Sequence, residues 1–187
     1  MGNEKCGMAK PPRICLNGGV GMEHLKIYRI NEKYVEYLHK VDNRVQLNKG
    51  ERRPYVGVVL TVNGMNYFVP LESPKPNHRN IKSGGPVLKL DDGALGIMGF
   101  NNMLPVKRQY LIEFDIRAEQ DKRYQTLLLK QLHYCSKNRE TIRLRATNTY
   151  IKATKGNNPF YERVCCNFRK LESACKRYNP NWKPKGK

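Results

Sequence analysis

The period of the apolar positions changes several times along the chain, and each change predicts an element. "LKIYRI" alternates apolar and polar residues as a strand does. In "NEKYVEYLHKVD" the apolar Tyr34, Val35, Leu38 and Val41 recur at helical spacing, which predicts a helix capped by Asn31. "VDNRVQLNKGERRP" is a polar, basic loop. "YVGVVLTV" and "MNYFVPL" flank Asn63-Gly64, a pair that favours the type I′ turn matching strand twist, and predict a hairpin. "PVLKL" and "ALGIMGF" around Asp92-Gly93 suggest a second hairpin, and "NMLPV" and "QYLIEFDI" add one or two strands.

The last third turns helical. "DKRYQTLLLKQLHYCSKN" lines up Tyr124, Leu127, Leu128, Leu132 and Cys135 on one stripe. Asn138 is a candidate cap for a continuation, "RETIRLRATNTYIKAT", with Arg139, Arg143 and Arg145 expected to point outward. A final helix over "NFRKLESACKRY" stops before Pro180 and Pro184. Antiparallel strands followed by helices make an α+β fold. Residues 1–22 are Gly/Pro-rich and aperiodic, so a flexible extension is expected ahead of one domain over 23–187, with Met22 a candidate start.

Charge narrows the partners. Thirty-five Lys+Arg face 16 Asp+Glu, a formal net charge of +19. That excess repels itself in a compact state, and a polyanion relieves it while releasing counterions. Nucleic acid is the expected partner. A membrane is not, because no stretch approaches a span and no basic helix carries a broad apolar face. The N-terminus has no apolar signal region, and the cysteines at 6, 15, 135, 165, 166 and 175 show neither zinc spacing nor a disulfide framework. A reduced, cytoplasmic protein without metal or other cofactor is expected. Nucleotide-binding glycine loops, H-E-x-x-H and G-x-S-x-G are absent from the sequence.

One loop concentrates chemistry. "PLESPKPNHRN", directly after "NYFV", holds Glu72, Ser73, Lys75, His78 and Arg79. Metal-free RNA cleavage needs a base for the ribose 2′-OH, an acid for the leaving 5′-oxygen, and cations on the phosphorane. His78 offers an imidazole for proton transfer, Ser73 supplies a hydroxyl, and Lys75 is a point charge suited to phosphate, held stiffly between Pro74 and Pro76. If the hairpin strands pair, "ERRPY" brings Arg52 and Arg53 beside the loop, and Arg53 can fork onto the same phosphate. Arg79 and Lys82 are expected to be further RNA-binding residues.

At these residues the chain resembles a family. "RPYVGVVLTVNGMNYFVPLESPKPNHRN" is similar to the core of the type III toxin–antitoxin endoribonucleases, the ToxN/AbiQ group. "KIYRINEKYVEYL", "MLPV", "LLKQL" and "CNFRKLE" resemble family positions in the same order, over residues 24–180. The resemblance implies a strongly twisted, mostly antiparallel sheet surrounded by helices, of the MazF/Kid kind. It implies cleavage of cellular or phage mRNA without metal, leaving a 2′,3′-cyclic phosphate, with a role in phage abortive infection for some members. It also implies inhibition by a repeat-derived pseudoknot RNA in a closed multimeric protein–RNA assembly. By this matching Ser73 and Lys75 fall on the active-site Ser and Lys, Arg53 on a basic site residue, and Tyr34 on a Tyr of the first helix. The chain departs at Glu72, where members carry Thr, and at Asn77, which replaces an aromatic; Tyr55 or Tyr67 would then supply base stacking. Arg139, Arg143, Arg145, Lys152 and Lys155 are expected to carry the long contact to the antitoxin RNA. The competing reading is a basic RNA-binding module that does not cut.

Overall fold

The computed structural model describes residues 14–15, 25–48, 50–82 and 84–183. The expected hairpin is its spine. β1 (Ile14–Cys15) and β2 (Lys26–Ile30) come first, followed by helix α1 (Glu32–Val41) and then the hairpin strands β3 (Tyr55–Val62) and β4 (Met65–Glu72). Asn63 and Gly64 both adopt positive φ, 49° and 77°, the backbone that a type I′ turn requires. The Asn31 side chain accepts the Tyr34 N–H and so starts α1.

Four short strands complete the sheet: β5 (Val87–Lys89), β6 (Ile97–Gly99), β7 (Leu104–Pro105) and β8 (Leu111–Glu113). Its order is β5-β6-β4-β3-β2-β8, with β1 on β3 and β7 on β4. Every pairing is antiparallel. β6 and β7 share the outer edge of β4: β7 meets Tyr67 and Phe68, and β6 meets Leu71 and Glu72. Helices α2 (Lys122–Lys137), α3 (Arg139–Thr154), α4 (Pro159–Val164) and α5 (Phe168–Arg177) follow, giving the expected α+β order. The sheet is open.

Three details differ from the sequence reading. α4 was not expected; Pro159 stands in its first turn and the Asn158 side chain caps it. Asn138 stands between α2 and α3, but its amide donates back to the Tyr134 carbonyl and makes no side-chain cap for α3. Within the expected flexible extension, the described pair Ile14–Cys15 is a strand against Val62 and Thr61, and the rest of 1–22 lies outside the described residues.

The core lies between the sheet and the helices. Tyr67, Tyr150 and Phe168 form an aromatic cluster there, and the buried Glu172 carboxylate accepts both Tyr67 and Tyr150 hydroxyls at 2.7 Å. Burial first, then that carboxylate, pushes the Tyr67 hydroxyl well above the ordinary tyrosine value. Cys135, Cys165, Cys166 and Cys175 are buried free thiols. Burial pushes the first three up to about 12, so they stay protonated and unreactive. Among the described residues no helix is long and apolar enough to cross a membrane.

Candidate functional site

The C-terminal end of β4 delivers the chemistry. The strand ends at Glu72, Ser73 to Lys75 run exposed, and a short 3-10 helix, Pro76–Asn80, follows. The Glu72 carboxylate accepts the Lys75 ammonium at 2.8 Å and lies 3.9 Å from the Arg53 guanidinium. Ser73 is exposed beside this cluster, and the Lys75 side chain keeps 56% of its surface against 17% for Arg53. The Tyr55–Pro70 register brings Arg53 to the end of β4, as the hairpin predicts.

The segment between α1 and β3 fixes Arg53. Its guanidinium donates to the Gln46 side chain. The buried Asn48 donates to the Ile30 carbonyl and accepts the Tyr55 hydroxyl at 2.8 Å. Gly50 N–H donates to the Glu32 carboxylate, and Glu51 accepts the Glu32 N–H. A cation held this way loses little entropy when it takes a phosphate oxygen.

Burial raises the Glu72 pKa. The Lys75 hydrogen bond and charge, with Arg53 and His78, overcome it and leave the net shift below the ordinary glutamate value. Glu72 is therefore ionised at neutral pH, and in the free protein it sits on the cations that a substrate phosphate needs.

Four expected site residues face the wrong way. His78 is buried, packed against the turn at Gly93, with Nδ1 unpartnered among the described residues. Its ring is not presented to a substrate. Tyr34, Tyr55 and Tyr67 are buried as well, and their hydroxyls donate to the Pro105 carbonyl, Asn48 and Glu172. None offers a face for base stacking. Arg52, Arg79 and Lys82 are exposed around the loop, and Lys152 and Lys155 are exposed on the α3 end. Arg139 and Arg143 are half-buried and share Glu140, and Arg145 donates to the Gly85 carbonyl, so all three lie along the surface instead of pointing freely outward.

Two positioning residues escaped the sequence reading. The buried Gln131 of α2 donates to the Leu95 carbonyl at 2.7 Å and reaches the Glu72 carbonyl at 3.5 Å. A glutamine between Leu128 and Cys135 on an apolar stripe was its only signal. Gly96, at φ +94°, brings β6 so close that a Cβ there would run into the Glu72 carbonyl oxygen. Gly96→Ala should therefore lose roughly 2–4 kcal/mol from strain and overlap together. Urea denaturation reads this, and an unchanged midpoint would mean that β6 can step back freely. Among the described residues no group of three or more His, Cys, Asp or Glu comes together as metal ligands.

Known proteins share this chain's sequence and fold. Residues 26–176 match the family described as "Toxin ToxN, type III toxin-antitoxin system". The endoribonuclease ToxN of Bacillus thuringiensis subsp. kurstaki is 34% identical over 162 residues, spanning 82% of this chain and 84% of that protein. A solved type III toxin, in work on selective inhibition by a non-coding RNA pseudoknot, superposes with TM-score 0.73 at 35% identity, over 83% of this chain and 98% of that one. The lactococcal anti-phage endoribonuclease AbiQ superposes with TM-score 0.73 at 28% identity, over 81% and 96%.

Proposed function

Because the chain belongs to the ToxN family of type III toxin–antitoxin toxins, we propose that it cuts RNA at the Ser73 loop and is held inactive by a structured antitoxin RNA. The observation that carries the reading is the Glu72–Lys75–Arg53 cluster beside an exposed serine hydroxyl. It unites an ionised carboxylate, two cations and a hydroxyl at the mouth of a rigid hairpin.

In this reading a phosphate of the RNA takes Lys75 and Arg53, and the Ser73 hydroxyl donates to one of its oxygens. Glu72, released, takes the 2′-OH proton as the 2′-oxygen attacks phosphorus. The bond to the 5′-oxygen breaks, leaving a 2′,3′-cyclic phosphate and a 5′-hydroxyl. Lys75 returns a proton to that oxygen, since Arg53 holds its protons too tightly and His78 is buried. The reaction needs no metal. Cleavage of a short RNA should persist in excess EDTA and give a cyclic phosphate end. Activity lost in chelator and restored by magnesium would overturn this chemistry, and tight RNA binding without any cut would favour the non-catalytic module.

The net charge of +19 exceeds what one groove can use. A folded, repeat-derived pseudoknot that wraps the toxin in a closed assembly uses it on several faces, with Arg139, Arg143, Arg145, Lys152 and Lys155 on the long contact. Such a toxin acts on cellular or phage mRNA in the cytoplasm and serves antiphage defence. The logarithm of antitoxin affinity should fall by about 0.7–0.9 per neutralised phosphate for each unit of log salt. Replacing Arg139, Arg143 and Arg145 together should lower that slope by about 2–3 while cleavage of a short substrate survives. A slope unchanged by the triple replacement would remove these arginines from the contact.

A further inference from the structure

β4 is regular from Met65 to Glu72, so Asn66, Phe68, Pro70 and Glu72 share one face of the strand. Toward the Asn66 end that face opens into a cleft of about 440 Å³, within the range of small-ligand sites. Lys26, Tyr28, Asn66, Phe68, Arg108 and Glu113 line it. Gly57 forms part of the wall, and a Cβ there would run into the Phe68 ring, so the glycine lets the ring lie close against the backbone. Tyr28 meets the buried Phe68 edge-on with centroids 5.5 Å apart, so the half-buried Tyr28 ring is held as the aromatic wall of the cleft.

The polar groups are arranged around that wall. Glu113 is the direct cross-strand partner of Tyr28. Lys26, Arg108 and Glu113 are exposed, and none of them enters an ion pair among the described residues. The Asn66 Oδ1 accepts the Thr61 hydroxyl, which leaves its NH₂ as a donor. Four residues of strand separate Phe68 from Glu72, about 13 Å at the usual rise. A few nucleotides of single-stranded RNA span that distance.

We propose that this cleft is a nucleotide-binding subsite. It takes one base of single-stranded RNA against the half-buried Tyr28 ring, which the buried Phe68 backs edge-on, a phosphate between Lys26 and Arg108, and an exocyclic amino group on the Glu113 carboxylate. The site therefore prefers adenine, cytosine or guanine over uracil, which has no amino group to donate. The inference rests on the reading that the chain cuts RNA, since that reading supplies the strand that runs from the cleft to Ser73.

The test uses the full chain with Ser73→Ala, so that binding is read without cleavage. The probe is a short single-stranded RNA that the wild-type chain cuts or, if it cuts none, the tightest binder from a random pool. Each nucleotide is replaced in turn by an abasic residue and by uridine. One position a few nucleotides from the cut should lose about 10-fold in affinity when abasic, the size of a base–aromatic stack. At that position alone, Glu113→Ala should erase the discrimination against uridine, while Lys26→Ala with Arg108→Ala should weaken the intact and the abasic RNA alike, since both keep the phosphate. Thermal melting of these surface variants should match the parent. Losses spread evenly over all positions, or discrimination that survives Glu113→Ala, would overturn the subsite. A wild-type chain that cuts nothing would instead sink the catalytic reading, and the binding series would still decide the cleft.

Discussion

Ser73→Ala should yield a folded toxin that binds RNA but cuts it at least about a hundredfold more slowly, the usual loss when one donor to a developing oxyanion is removed. The side chain is exposed at the end of β4, and no hydrogen bond of the fold runs through its hydroxyl among the described residues. Its removal leaves Glu72, Lys75 and Arg53 paired as before, and Gln131 and Gly96 still hold the strand end. Stability and antitoxin affinity should therefore stay near wild type while growth arrest disappears. Single-turnover cleavage, a thermal melt and an antitoxin titration measure the three separately. A variant that still arrests growth at the wild-type rate takes Ser73 out of the chemistry. One that fails to melt cooperatively shows that the hydroxyl supports the loop instead.

Local signals carried the fold a long way. Asn63-Gly64 and the alternation around it fixed the hairpin, because turn type and strand period are both short-range properties. Asn31 fixed the start of α1 for the same reason. The same hairpin told which cation meets the loop, and Arg53 does reach Glu72. Alternation could not say which face of β4 the helices cover. Tyr67 looked available for stacking, yet its hydroxyl ends on Glu172, 105 residues away, in a contact that only the packed helices create. His78 failed in the same way, since the turn at Gly93 closes over it. Gln131 and Gly96 act on Glu72 from α2 and β6, and nothing near Glu72 in the sequence announces either. What was hidden in each case is a tertiary approach of two elements.

Glu72→Gln should bind RNA more tightly and cut it far more slowly, a pairing of effects that separates its two roles. In the free protein its carboxylate occupies Lys75 at 2.8 Å and faces Arg53 at 3.9 Å, so an incoming phosphate must displace it. Glutamine keeps the shape and drops the charge, which removes that competition. It also removes the group that takes the 2′-OH proton, a loss of about 10²–10⁴ in kcat. The pH profile of the wild type carries the sign. Lys75, Arg53 and His78 together hold Glu72 below its ordinary value of 4.5 against the effect of burial, so it stays a carboxylate until pH falls past that depressed value. The acid limb of kcat/KM, which reports the free enzyme, should therefore lie below 4.5. In the complex a phosphate takes the cations away and adds a negative neighbour. Both changes raise the Glu72 pKa, so the acid limb of kcat should move to higher pH than that of kcat/KM. A limb near the histidine range in kcat/KM would return the base to His78. Coincident limbs would mean that Glu72 never leaves Lys75, and a Glu72→Gln variant with weaker RNA binding would show that the carboxylate orders the cations instead of competing for them.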